Sequence, residues 1–162
     1  MAQYTTFYLQ GALFGINILH VKELNRHLVY TSVPDGSEYI KGLLNLRGHV
    51  VTVFDLAKRL GLSESKINPK TRNLILRTDA ETADYYKQGW LTQRVGYDPI
   101  GFLVDEIGDV IEVSDDKLHH APANLETVAM DYVTGVVELE KGLLVVLNIE
   151  KIFNIHNAKE MV

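Results

Sequence analysis

Residues 40 to 61 read IKGLLNLRGHVVTVFDLAKRLG, a segment that sets the pattern for the rest of the chain. An apolar run from Ile40 to Leu46 leads into Arg47-Gly48, and a second apolar run, Val50 to Phe54, follows at once. That pattern predicts two strands joined through a glycine-containing tight turn. Asp55 stands where a helix N-cap belongs, since its carboxylate can accept from the free N–H groups of a short helix over Leu56 to Leu60. Gly61 can end that helix in the left-handed conformation. The unit is strand, turn, strand, capped helical turn.

The unit recurs. Displaced by 93 residues the chain reads VTGVVELEKGLLVVLNIEKIFN, Val133 to Asn154, with no gap over 22 positions. Gly42 falls on Gly135, Leu46 on Leu139 and Lys58 on Lys151. Identities are few, but the cap Asp55 falls on Asn148 and Gly61 on Asn154. Asparagine serves both as an N-cap and at positive φ, so the chemistry repeats where the letters do not. At a displacement of 86, Gly15-Ile16, Val21, Glu23 and Leu24 fall on Gly101-Phe102, Ile107, Asp109 and Val110. Each copy then reaches a proline, Pro34 or Pro122, before its hairpin. The sequence predicts two similar small β units in one chain.

Working outward, Tyr4 to Leu9 and Ala12 to Ile16 read as a hairpin broken at Gly11, and Val21 to Leu24 as a further strand. Pro34-Asp35-Gly36 marks a turn. Leu62 to Lys70, polar and carrying Pro69, reads as the join between units. Arg72 to Thr78 is a strand with Leu74 and Leu76 on one face. Asp79 to Pro99 shows no period and holds Tyr85, Tyr86 and Trp90; a loop of that length is functional or mobile. Ile100 to Val104 and Asp109 to Val113 are strands, and the tail from Ile152 onward is expected to form a short helix or to fray. About ten short strands with no crossover helices exclude a doubly wound parallel sheet and predict an all-β fold of small antiparallel barrels. The expected division is sub-barrels over 12–68 and 71–150, with the N-terminal strand and a short C-terminal helix closing the pair, the whole of 1–162 forming one domain.

Composition narrows the function. A chain of 162 residues, 46% hydrophobic, is globular and suits one domain or two very small ones. Net charge of −5 without a basic cluster argues against nucleic-acid binding. The absence of cysteine removes disulfides and thiolate metal sites. No basic leader and no run approaching the ~18 apolar residues of a membrane span is present, so neither export nor membrane insertion is expected. His119-His120 would face opposite ways on a strand, and no metal-ligand spacing surrounds any of the six histidines, which read as solvated loop residues. No nucleophile elbow or phosphate loop occurs, and Asp105-Glu106 and Asp115-Asp116 lack an acid–base partner. Catalytic residues, cofactor and metal are therefore expected to be none.

The two repeats differ at the hairpin turn: Arg47-Gly48-His49 in one, Glu140-Lys141-Gly142 in the other. Arg47 is thus not needed to build the unit. A planar multi-donor side chain at a turn suits recognition, with Glu23 as an in-chain partner; the residues alone equally admit an ordinary surface arginine.

GLLNLRGHVVTVFDLAKRLGL, with FGINILHVKEL before it and GFLVDEIGDVIEV and TGVVELEKGLLVVLNIEKIF after it, resembles the CheW family of chemotaxis coupling proteins. The resemblance runs from about residue 4 to 155. It implies two tandem SH3-like five-stranded barrels and a non-enzymatic cytoplasmic adaptor held at the inner face of the membrane through receptor arrays. The implied partners are the regulatory domain of the histidine kinase CheA and the cytoplasmic tip of a chemoreceptor, which would lie in an apolar groove between the barrels. Carried over by position, Val21, Glu23, Gly42, Arg47 and Gly48 are the implied coupling residues. Thr52 stands where many relatives have proline, a substitution expected in an edge strand. The long Asp79 to Pro99 segment departs from the family, and Trp90, Tyr85 and Tyr86 in it are candidate extra partner anchors or a self-packed aromatic hairpin. Two alternatives remain at this point: a coupling protein of a pilus-type pathway, and a small-ligand or metal-dependent enzyme.

Overall fold

A computed structural model describes residues 1–34, 36–121 and 130–153. Within them ten strands form two five-stranded sheets. One sheet has the order β8 (Glu106–Val113), β1 (Ala2–Leu9), β2 (Ala12–Asn17), β10 (Gly142–Leu147), β9 (Val133–Leu139). The other has the order β3 (Val21–Asn25), β6 (Arg72–Leu76), β7 (Ile100–Val104), β5 (His49–Asp55), β4 (Ile40–Leu46). All pairs are antiparallel except β2 with β10 and β7 with β5.

The duplication is visible bond for bond. Asp55 Oδ1 accepts from Lys58 N at 3.2 Å, and Asn148 Oδ1 accepts from Lys151 N at 3.1 Å. The N–H of Asp55 donates to Tyr39 O and that of Asn148 to Tyr132 O, both at 2.7 Å. The first unit's helix, α1 (Leu56–Arg59), ends as expected: Gly61 has φ +89°, its N–H reaches Lys58 O, and Leu62 N reaches Ala57 O. Those two bonds are the Schellman closure. In the second unit residues 149–153 are helical; Asn154 and any continuation of that helix lie outside the described residues, as do Asp35 and Pro122.

The sheets do not follow the division into 12–68 and 71–150. Each takes two strands from one repeat and three from the other: β1 and β2 join β8, β9 and β10, while β6 and β7 join β3, β4 and β5. The N-terminal strand is an interior member of its sheet, not a closing one. The physical reason lies at Asn17. Its side chain accepts from Leu19 N at 3.0 Å and caps a 3₁₀ turn, Ile18–His20, which turns the chain out of one sheet and into the other. Thr52 also departs from expectation. Strand β5 lies between β4 and β7, and Thr52 N donates to Pro99 O at 3.2 Å, a bond that proline could not make.

An isolated bridge ties the chain beyond one edge strand of each sheet to the other edge strand: Thr31, after β3, pairs with Leu43 of β4, and His119, after β8, pairs with Val136 of β9. Side chains alternate accordingly. Leu44, Leu46, Val51, Val53, Ile75 and Leu103 fill the concave side of one sheet. Tyr4, Val113, Val137, Leu144 and Val146 fill the other. The opposite faces of the same strands share a third core, in which Phe7 of β1 meets Phe102 of β7 at 5.5 Å between ring centroids. Leu74 and Leu76 both enter this shared core while Ile75 faces away, as the period-two reading requires.

Candidate functional site

The β4–β5 turn has a specialised backbone, shared with the Gln10-Gly11 turn between β1 and β2. Leu46 pairs with His49, which leaves Arg47 and Gly48 as a two-residue loop. Their φ angles are +51° and +85°. Positive φ at both central positions is the type I′ geometry whose twist matches the strands, and which favours Asn-Gly over any long side chain. Asn45 Oδ1 accepts from Gly48 N at 3.0 Å and braces the turn from below.

Arg47 therefore sits in a conformation that costs an ordinary L-residue about 1 kcal/mol. Its guanidinium Nη2 donates to Glu23 Oε1 on β3, the partner the sequence names. Arg47 stays 69% exposed, so the ion pair returns only about 0–1 kcal/mol. Arg47→Asn is accordingly expected to stabilise the fold by about 0.5–1 kcal/mol, read as a small rise in thermal midpoint. A fall would mean that the ion pair outweighs the turn.

Below the pair runs an open cleft of about 440 Å³, floored by Leu46, Val51, Ile75 and Leu76 and rimmed by Glu23, Arg47 and His49. Lys22, next along β3, reaches Glu81 at 2.8 Å on the same rim. Burial pushes the Glu81 carboxyl up, but the bonds from Lys22 and Thr78 outweigh it and hold it below its usual value. The Lys22–Glu81 pair was not legible in the sequence, because it links strand β3 to a segment without period.

Of the residues singled out by sequence, Glu23, Arg47 and Gly48 come together at this cleft. Val21 lies on the same strand, packed against the shared core and paired with Leu76. Gly42 lies towards the other end of β4 at a register shift. A Cβ there would be 2.7 Å from Tyr30 Cβ and 2.8 Å from Thr31 O, so glycine is required by close approach. Gly135 is crowded in the same way by His119 O at 2.6 Å.

A second, more apolar groove of about 390 Å³ runs over Ile40, Leu43, Phe54, Tyr97, Ile100 and Phe153. Phe153 comes from the second repeat, so this groove draws on both halves of the chain.

The Asp79 to Pro99 segment is more ordered than its sequence suggests. It contains α2 (Ala83–Lys87), too short for a period to register. Buried Asp79 staples the segment: Oδ1 accepts from Val95 N at 2.9 Å and from the Tyr86 hydroxyl at 3.3 Å. Tyr86 lies under the Arg94 guanidinium, 3.8 Å from its ring centroid, and is self-packed. Trp90 is 60% exposed and touches only Tyr85 among aromatic rings of the described residues, at 6.0 Å.

Among the described residues no three His, Asp or Glu side chains are grouped to hold a metal ion. One histidine contradicts the solvated reading: His20 is 3% exposed. Burial lowers its pKa to about 4, against the opposing pull of Asp79.

A CheW-like domain model matches residues 3–156. The chemotaxis protein CheW of Treponema pallidum is 30% identical over 152 residues, covering 94% of this chain and 82% of that one. The Bacillus subtilis chemotaxis protein CheW is 29% identical, covering 96% of this chain and 89% of its own. A crystal structure of the scaffolding protein TtCheW from Thermoanaerobacter tengcongensis superposes with a TM-score of 0.76 at 22% identity, over 94% of this chain and 87% of that one.

Proposed function

The chain belongs to the CheW-like family, and from that premise we propose that it is a chemotaxis coupling adaptor whose mechanism is geometric. It binds the regulatory domain of the kinase CheA and the cytoplasmic tip of a chemoreceptor, fixes their relative placement, and makes or breaks no bond itself. No helix among the described residues is long and apolar enough to cross a membrane; the adaptor reaches the membrane's inner face through the receptors it joins.

One observation carries the assignment of the coupling site. Arg47 occupies a turn position that disfavours it and returns little through its exposed ion pair, so folding alone does not account for an arginine there. The Arg47–Glu23 pair stands over an apolar floor, and a partner that displaces it gains both a guanidinium fork and the floor beneath. The groove over Ile40, Phe54, Ile100 and Phe153 has the apolar character that suits one face of a receptor's helical hairpin.

Arg47→Ala tests this. The substitution is expected to shift the thermal midpoint by no more than a few degrees while lowering retention of a CheA regulatory domain or receptor fragment about tenfold or more in pull-down. Intact retention with a large loss of stability would reassign Arg47 to the fold.

A further inference from the structure

Trp90 is the chain's only tryptophan, and it is held out to solvent by a rigid mount. Gly89, at φ +76°, ends α2 with its N–H on Tyr86 O, and Trp90 N follows onto Tyr85 O at 2.9 Å. Beyond it Leu91 and Val95 are buried. Gln93 Oε1 accepts from Ile149 N at 3.0 Å, and Arg94 N donates to Glu150 Oε1 at 2.9 Å. The segment is thus pinned on both sides of the indole. An exposed aromatic on an anchored loop is the arrangement seen in binding anchors, since little backbone freedom remains to be lost on contact.

The indole forms one wall of an open cleft of about 590 Å³. Also lining it are Gln3 of β1, Glu112 of β8, Ile18 and Leu19 of the 3₁₀ turn, and Asp115 just beyond β8. Both charged side chains in the lining are carboxylates, and no Lys, Arg or His side chain lines it.

We propose that this cleft is a second docking surface, separate from the Arg47 cleft, and that its occupant is an arginine-bearing segment of a partner protein. A guanidinium stacks on an indole face and is attracted by its ring quadrupole, while its N–H fork can be accepted by Glu112 and Asp115. Ile18 and Leu19 receive the aliphatic stem. An anionic partner, nucleic acid included, would meet two carboxylates without a basic side chain to offset them.

The probe is a blocked peptide of alternating glycine and arginine, with a glycine–glutamate peptide as its counterpart. Intrinsic fluorescence reads binding directly, because Trp90 is the sole tryptophan. A saturable change is expected with the arginine peptide alone. The double reversal Glu112→Lys with Asp115→Lys should weaken it at least about tenfold, and Trp90→Ala, followed by calorimetry, about fivefold or more. All three positions are exposed, so the variants should melt within a few degrees of the parent. Absence of a saturable change, or a titration unaltered by the charge reversal, overturns the proposal. The Arg47→Ala protein should bind the peptide normally, which separates this result from the fate of the coupling site.

Discussion

Gly42→Val is expected to destabilise the protein by about 3 kcal/mol and to lower its thermal midpoint by roughly 6–12 °C. The valine Cβ would lie 2.7 Å from Tyr30 Cβ and 2.8 Å from Thr31 O, atoms that cannot swing aside as a side-chain tip could. The contact at risk is the bridge between Thr31 and Leu43 of β4. Thr31 N donates to Leu43 O at 2.9 Å, and Leu43 N to Thr31 O at 2.8 Å. Separating the two segments loses both bonds and opens the concave core of Leu44, Leu46, Val51 and Val53 beneath. Gly135→Val should behave alike, with His119 O at 2.6 Å and Leu118 Cδ1 at 2.9 Å. Gly48→Ala gives the contrast: open space surrounds its Cβ, so only the cost of positive φ applies, about 1 kcal/mol. Thermal unfolding of the three variants decides the matter. A Gly42→Val protein that melts like the parent would mean that the closure contributes nothing.

The second large effect is on acid stability. His20 is buried, its Nδ1 has no hydrogen-bond partner among the described residues, and its pKa falls to about 4. Above pH 6.5 the ring is neutral folded or unfolded, and the group has no influence on pH dependence. As pH falls from 6.5 towards 4 the unfolded chain takes up a proton that the native site refuses. Stability is therefore lost progressively across that window, by up to about 3 kcal/mol, and the loss is complete below the native pKa. His20→Gln cannot titrate, so the stability gap between parent and variant should shift in the variant's favour by that amount between pH 7 and 4 in urea titrations. A gap independent of pH would show that the ring ionises normally in the fold. Histidine ring shifts followed by NMR through the same window give the answer without a substitution.

What the sequence revealed follows the range of the forces involved. Turn chemistry and capping act over a few residues, so the Arg47-Gly48 turn, the Asp55 cap and its counterpart at Asn148 were legible. The duplication was legible for the same reason, since it repeats local units. Which strands become neighbours is decided at long separation. The parallel pairing of β2 with β10 joins Leu13 to Leu144, and nothing local in either strand names the other. Hence the exchange of strands between the two sheets was missed, and with it the true position of Thr52. Helix α2 escaped because Thr82 supplies no side-chain cap bond and five residues are too few to show a period. His20 lies alone between Leu19 and Val21, a context that carries no signal for a buried imidazole. The ion pair of Arg47 with Glu23 was read correctly from charge and turn chemistry, whereas the cleft around Trp90 needed β1, β8 and the 3₁₀ turn brought together.

The proposed adaptor role rests on simultaneous engagement of two proteins. Co-sedimentation measures that directly: the protein is spun with membranes carrying receptor cytoplasmic fragments, with the CheA regulatory domain alone, and with both. The regulatory domain should enter the pellet only when the adaptor is present, and each partner should raise retention of the other. Competition between receptor and regulatory domain for the adaptor, with neither pelleting the other through it, would rule out a bridging role.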